Sequence, residues 1–220
     1  MNILISAATD LELGKFANSD HRYSNINVTG IVCGVGMLES MFRLMEHLSS
    51  SENSYDLVIN IGIAGSFRKD INLTEVVNVV SECLSELGVE DVHDFKSAFE
   101  IGLIDDDQKP FKNGILKIEN VPTLNIVSKL KQCSAITVNT VHGNEDSIKK
   151  ISARFDPDVE SMEGASHFYL SIMKDIPCLQ LRAISNYVEK RNKENWKIDA
   201  ALNNLWKVTE EVLFEFDNKK

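Results

Sequence analysis

The chain has 220 residues, enough for one sizeable α/β core, and its 23 basic and 33 acidic side chains give a net charge of −10. With that acidic balance and no basic run, a nucleic-acid partner is not expected. The four cysteines, Cys33, Cys83, Cys133 and Cys178, lie far apart without metal-ligand spacing, and no run approaches the ~18 apolar residues of a membrane helix. No metal, cofactor or membrane partner is therefore expected. MNILISAATD lacks the basic region and long apolar segment of a secretion signal, so the chain reads as soluble and cytoplasmic.

Asn2 to Ala8 is apolar and ends in small residues, as a central strand would. Thr9 and Asp10 can cap a short helix carrying Glu12 in its first turn, where a macrodipole role is the ordinary explanation of an acid. Ile26 to Cys33 reads as an edge or hairpin-like segment. Gly34 and Gly36 then form a tight turn into an amphipathic helix from Met37 to Leu48, with Met41, Leu44, Met45 and Leu48 on one face. Leu57 to Ala64 is a buried strand, and Ala64-Gly65-Ser66 is small enough for a ligand to approach the backbone. Gly65 could also be a turn residue needing positive φ.

Glu75 to Ser81 predicts another strand. From Leu84 to Leu124 the periodicity dissolves into excursions and short strands, with Asp91, His93, Asp94 and the triplet Asp105-Asp106-Asp107. The triplet reads as a solvated turn rather than a metal site. Asn125 to Leu130 suits a short helix. Ser134 to Val141 is β-branched and reads as a central strand ending in His142-Gly143-Asn144, with a helix over Glu145 to Ala153 behind it.

After the turn-like Asp156-Pro157-Asp158 come Glu160 and Glu163, then a helix from Gly164 to Lys174 that Asp175 and Pro177 terminate. The strand Cys178 to Ile184 runs into Ser185 and Asn186. Ligands of open α/β sheets bind beyond the carboxyl ends of strands, which places Glu163 and Asn186 within reach of one small molecule. A helix from Ile198 to Phe214 and a frayed tail from Asp217 complete the chain. Alternating strands and helices, without a linker or repeat, predict an α/β fold: one domain over 1–220, three-layered, a central mixed sheet flanked by helices.

Chemistry can be assigned to three side chains. A carboxylate accepts two hydrogen bonds side by side, so Glu163 suits the vicinal diol of ribose. Glu12 could take a proton from water. The planar amide of Asn186 offers a donor and an acceptor to a nucleobase edge.

ISAATDLEL, CGVGMLES, NIGIAGS, VESMEGA and LRAISN, in that order, resemble the nucleoside phosphorylase and nucleosidase superfamily over nearly the whole chain. The resemblance implies a homo-oligomer, expected to be a homodimer, and water activation by Glu12. The family motif VEMEA maps its methionine and second glutamate onto Met162 and Glu163. Ser161 stands where that motif has its first glutamate, and Glu160 is one place early. Adenine-specific nucleosidases carry Asp where this chain has Asn186, which can donate to the carbonyl of a 6-oxopurine. VESMEG with RAISNYVE resembles the futalosine hydrolases, which release hypoxanthine in menaquinone biosynthesis. The resemblance thus implies hydrolysis of a 6-oxopurine nucleoside, with Glu12, Glu163 and Asn186 catalytic. Substrate contacts are expected from Ala64, Gly65, Glu160 and Met162, support from Arg182 and Ser185, and contacts to the 5′ substituent from His142, Asn144 and Arg191. The alternatives are a methylthioadenosine/adenosylhomocysteine-type nucleosidase, a purine nucleoside phosphorylase with Arg43 or Arg68 as phosphate anchor, and a non-catalytic nucleoside-binding protein.

Overall fold

The computed structural model describes residues 1–17, 23–50, 54–92, 94–121 and 123–219; His93 and Pro122 lie outside them. Its strands are β1 (Asn2–Ala7), β2 (Asn27–Val32), β3 (Leu57–Ser66), β4 (Val76–Leu84), β5 (Gly88–Asp91), β6 (Asp94–Ser97), β7 (Leu116–Lys117), β8 (Gln132–Thr137), β9 (Val159–Ser161) and β10 (Cys178–Tyr187). The helices are α1 (Asp10–Leu13), α2 (Met37–Ser50), α3 (Asn125–Ser128), α4 (Glu145–Phe155), α5 (Gly164–Lys174) and α6 (Ile198–Asp217).

The main sheet is mixed. β3, β10, β4, β8 and β9 pair in a closed circuit, and β1 and β2 extend it from β3 in parallel. Alternate residues of β1 and β3 serve two cores, as the strand period of two requires. Ile3, Ile5, Leu57, Ile59 and Ile61 pack with Leu202, Leu205 and Leu213 of α6. Leu4 and Val58 pack with Leu44 of α2 and Phe168 of α5 on the other face. Helices on both faces of one sheet make the three layers expected.

One irregularity positions the site. β1 pairs with β3 only as far as Asn60, and β9 takes over that edge of β3 at Gly65. Between them an edge of β3 backbone is left to other partners.

Some expectations need correction. β8 ends at Thr137, not Val141, because the chain turns away into the loop that carries His142. Gly65 lies within β3 rather than in a positive-φ turn, and a Cβ there would come within 2.9 Å of Val188 Cγ2 and 3.3 Å of Asn186 Nδ2. Met45 is half exposed rather than on a buried face. Asp217 is the last residue of α6 and accepts a 2.6 Å hydrogen bond from Asn25 N, so the helix runs beyond the expected fraying point. β2 is a parallel edge strand, not half of a hairpin. The short β9 was not anticipated. In the aspartate triplet, Asp105 and Asp107 accept backbone hydrogen bonds from Asp107 and Asn113, as turn-forming acids do.

Candidate active site

A cavity of about 430 Å³ opens at the carboxyl ends of β1, β3 and β10. The segment after β1 brings in Glu12. Thr9 caps α1, its Oγ1 accepting from Glu12 N at 3.2 Å and donating to Glu12 Oε2 at 2.9 Å. Glu12 Oε1 accepts from Ile63 N at 3.1 Å, in the stretch of β3 that neither β1 nor β9 pairs. The helix end is held by Trp206 Nε1, which donates to Glu12 O at 2.8 Å. Gly62 is needed beside this carboxylate: a Cβ there would lie 3.0 Å from Glu12 Oε1 and 3.2 Å from Arg182 Nη1.

Glu163 occupies the junction of β9 and α5. Its side chain does not cap its own helix; Oε1 accepts instead from Gly36 N at 2.9 Å. Gly34 and Gly36 adopt φ of +83° and +85°, a left-handed turn suited to glycine, which aims the Gly36 amide into the cavity wall. Burial pushes the Glu163 carboxyl above the usual carboxylate range, with the nearby Glu12 charge adding to the shift; the Gly36 amide and Arg182 oppose it.

Beneath these acids lies a buried network. Arg182, 1% exposed, donates through Nη2 to Asn60 Oδ1. Asn60 Nδ2 reaches Ser6 O and His167 Nε2, each at 3.2 Å. His167 Nδ1 lies 3.2 Å from Glu163 O, which can only accept, so Nδ1 carries the hydrogen and Nε2 accepts from Asn60. Burial lowers the His167 pKa to about 3, and the imidazole is neutral. One side of the network thus ends on the backbone of Glu163. Arg182 itself does not line the cavity.

Asn186 lies at the end of β10, past a register shift against β3 between Ile184 and Asn186. Its Nδ2 donates to Tyr187 O at 3.0 Å, and its Oδ1 accepts from Ser185 Oγ at 2.8 Å. The amide is therefore oriented, with its second N–H directed by those two contacts.

Ala64, Gly65, Glu160, Ser161, Met162 and Ser185 also line the cavity, as do His142 and Arg191. Glu160 is already engaged: it accepts from His142 N at 3.0 Å and lies 2.6 Å from His142 Nδ1. Arg191 donates its backbone N–H to Gly143 O and stacks its guanidinium 5.5 Å from the Trp196 ring. Asn144 is a correction. It does not line the cavity; its Oδ1 accepts from Asp146 N and Ser147 N and caps α4. Sequence reasoning missed Val35, Tyr187, Trp196, Ile198 and Leu202, which supply apolar wall. It also missed Asn60 and His167, whose positions become meaningful only once β3 and α5 are adjacent.

The model of the phosphorylase superfamily matches residues 14–213. A futalosine hydrolase of Streptomyces coelicolor is 24% identical over 152 residues, covering 67% of this chain and 61% of that protein. A 5′-methylthioadenosine/S-adenosylhomocysteine nucleosidase and a futalosine hydrolase, both of Helicobacter pylori, superpose with TM-scores of 0.77 at 17% and 15% identity. Each covers 98% of both chains compared. These neighbours share the fold, and the match over residues 14–213 shows that the chain belongs to the phosphorylase superfamily.

Proposed function

We propose that this chain is a nucleosidase that hydrolyses the N-glycosidic bond of a 6-oxopurine nucleoside, with futalosine the preferred substrate. The observation that carries this reading is the convergence of Glu12, Glu163 and Asn186 on one cavity, each held by its own hydrogen bonds. Glu12 takes a proton from water as the water oxygen bonds to the anomeric carbon. The carbon–nitrogen bond breaks, its electron pair leaves on the purine, and the sugar passes through an oxocarbenium-like state that the carboxylates stabilise. Glu163, ionised, accepts from the two ribose hydroxyls. Asn186 donates to the departing base and stabilises its negative charge.

Both nucleosidase types superpose equally well, so the overall fold does not choose between adenine and hypoxanthine. Asn186 favours the latter, since its free N–H meets a purine carbonyl where a carboxylate would repel it. The phosphorylase alternative is disfavoured by its two candidate anchors: Arg43 pairs with Glu39, and Arg68 pairs with Asp156 and Asp158. Neither lines the cavity. Arg191, with Trp196, suits an acidic aromatic 5′ substituent.

A homodimer belongs to the same reading. Leu38, Phe42 and Met45 of α2 are exposed, and Leu11 and Val35, also exposed, line the cavity. A second copy on that face would both cover apolar surface and border the site.

The test is incubation of the purified protein with futalosine, inosine and methylthioadenosine, with and without phosphate, followed by chromatography of free base. Hypoxanthine from futalosine without phosphate is expected. Release only with phosphate would make the protein a phosphorylase, and adenine from methylthioadenosine alone would overturn the Asn186 assignment.

A further inference from the structure

A second carboxyl group lies behind the site and takes no part in the mechanism above. Glu82, on β4, is fully buried. Its Oε2 accepts from Thr137 Oγ1 at 2.8 Å and its Oε1 from Gln180 Nε2 at 2.6 Å. Thr137 Oγ1 in turn accepts from Ala165 N at 2.8 Å, an amide in the first turn of α5. That is the helix whose N-cap is Glu163. Gly164 leaves the room these side chains occupy: a Cβ on it would sit 1.8 Å from Glu82 Oε1 and 2.7 Å from Gln180 Nε2, and both would have to shift. Glu82, Thr137 and Gln180 come from three strands of the closed circuit and meet under one helix N-terminus, where negative charge is favoured.

We propose that Glu82 is a positioning residue for Glu163, acting through Thr137 and the first turn of α5. This rests on the nucleosidase reading for its link to catalysis, although the coupling of the two carboxyls stands apart from it. As a carboxylate, Glu82 takes a hydrogen from both Thr137 and Gln180, leaving a Thr137 lone pair for Ala165 N–H. This fixes the start of α5 and with it the rotamer origin of Glu163. Once protonated, Glu82 has a hydrogen of its own to donate, and one of the two contacts must reverse. Gln180 Oε1, which has no partner among the described residues, can accept that hydrogen if the amide turns over.

The titratable and charged groups around Glu82 are Glu163 and Arg182, with Cys83 and Cys178 near them. Burial raises the Glu82 pKa to about 7, the Glu163 charge adding to the effect and the hydrogen bonds and Arg182 opposing it. The charge beneath the first turn of α5, and the hydrogen-bond pattern that Glu82 makes there with Thr137 and Gln180, therefore change across neutral pH.

The experiment compares wild type, Glu82→Gln, Thr137→Val and Thr137→Ser in two measurements. Steady-state hydrolysis of the best nucleoside is followed from pH 5.5 to 9, and carboxyl carbons are titrated by NMR in protein labelled with ¹³C-glutamate, assigned with Glu163→Gln. Wild type should show an ionisation near neutrality that Glu82→Gln lacks. Above it, Glu82→Gln and Thr137→Val should raise KM about tenfold with kcat changed less than about threefold, and Thr137→Ser should behave as wild type. A pH profile of Glu82→Gln superimposable on wild type would overturn the proposal while leaving the nucleosidase reading intact. If no nucleoside releases base, the nucleosidase reading fails instead, and the NMR decides the coupling. A Glu163 titration moved by Glu82→Gln supports it, and one unmoved overturns it.

Discussion

Gly36 and Glu163 are 127 positions apart and meet in one hydrogen bond, the glycine amide donating to Glu163 Oε1 at 2.9 Å. The contact joins a turn that needs left-handed backbone to a carboxylate that lines the cavity. Gly36→Ala meets nothing within 4 Å, so steric clash is not its problem; φ of +85° is. Relief of that strain, about 1–2 kcal/mol, would rotate the amide away. We expect Gly36→Ala to raise KM for a nucleoside about tenfold while lowering Tm by only a few degrees. Equal KM values in the two proteins would remove the amide from the orientation of Glu163.

Glu12→Gln separates proton transfer from structure. The glutamine oxygen can still accept from Ile63 N and the fold should hold. We expect a loss of kcat of about 10²–10⁴-fold, the usual range for a general base, with Tm unchanged within about 2 °C. Gly62→Ala should show a smaller loss by displacing the Glu12 carboxylate, since its Cβ would lie 3.0 Å from Oε1. Base release at the wild-type rate by Glu12→Gln would exclude Glu12 as the base.

Asn186→Asp tests the reading of the purine. The aspartate would repel a 6-oxo group and, when protonated, could donate to purine nitrogen 7. The ratio of kcat/KM for inosine-type over adenosine-type substrates should fall about tenfold or more, each 1.4 kcal/mol counting tenfold. A ratio unchanged by the substitution would locate base selection elsewhere.

The parts of this molecule legible in sequence were those whose pattern is local. α5 begins at Gly164 and ends at Lys174 as expected, because an acid-rich turn precedes it and Asp175, in left-handed conformation, with Pro177 ends it. β9 was missed because three residues are too few to show a period. β8 was drawn too long because Val138 and Val141 continue its β-branched run after the chain has left the sheet. Asn144 was placed in the site by chain position alone, whereas its side chain satisfies the free amides of α4. Glu82 carried no signal: the predicted strand stopped at Ser81, and an acid just past it reads as solvent-facing until β8 and β10 bring Thr137 and Gln180 against it.

The exposed face of α2 gives a test of assembly. Phe42 is 63% exposed and Leu38 87% exposed, on the helix whose opposite side buries Leu44. Phe42→Glu should convert a homodimer into a monomer by sedimentation equilibrium, with far-UV circular dichroism unchanged. Because Val35 and Leu11 line the cavity and are also exposed, the monomer should have a raised KM. A wild-type protein that is monomeric at high micromolar concentration would sink the dimer.

Two buried groups, Glu82 and His167, act in opposite directions on stability as pH changes. Burial raises the pKa of Glu82 in the folded protein to about 7 from its ordinary 4.5. Between those values the folded protein holds a proton that the unfolded chain has lost, so stability falls as pH rises from about 4.5 to 7 and then levels. His167 is lowered from 6.5 to about 3, so between those values the unfolded chain holds the extra proton and stability falls as pH drops. From pH 4.5 to 6.5 the two slopes partly cancel. Glu82→Gln removes the first and leaves the second. Relative to wild type, that variant should therefore gain stability between pH 5 and 8, by on the order of 3 kcal/mol if the whole shift is realised. Urea midpoints of both proteins at pH 5 and pH 8 measure the difference. A gap that stays constant with pH would mean that Glu82 ionises in the folded protein as it does in the unfolded chain, against its burial under α5.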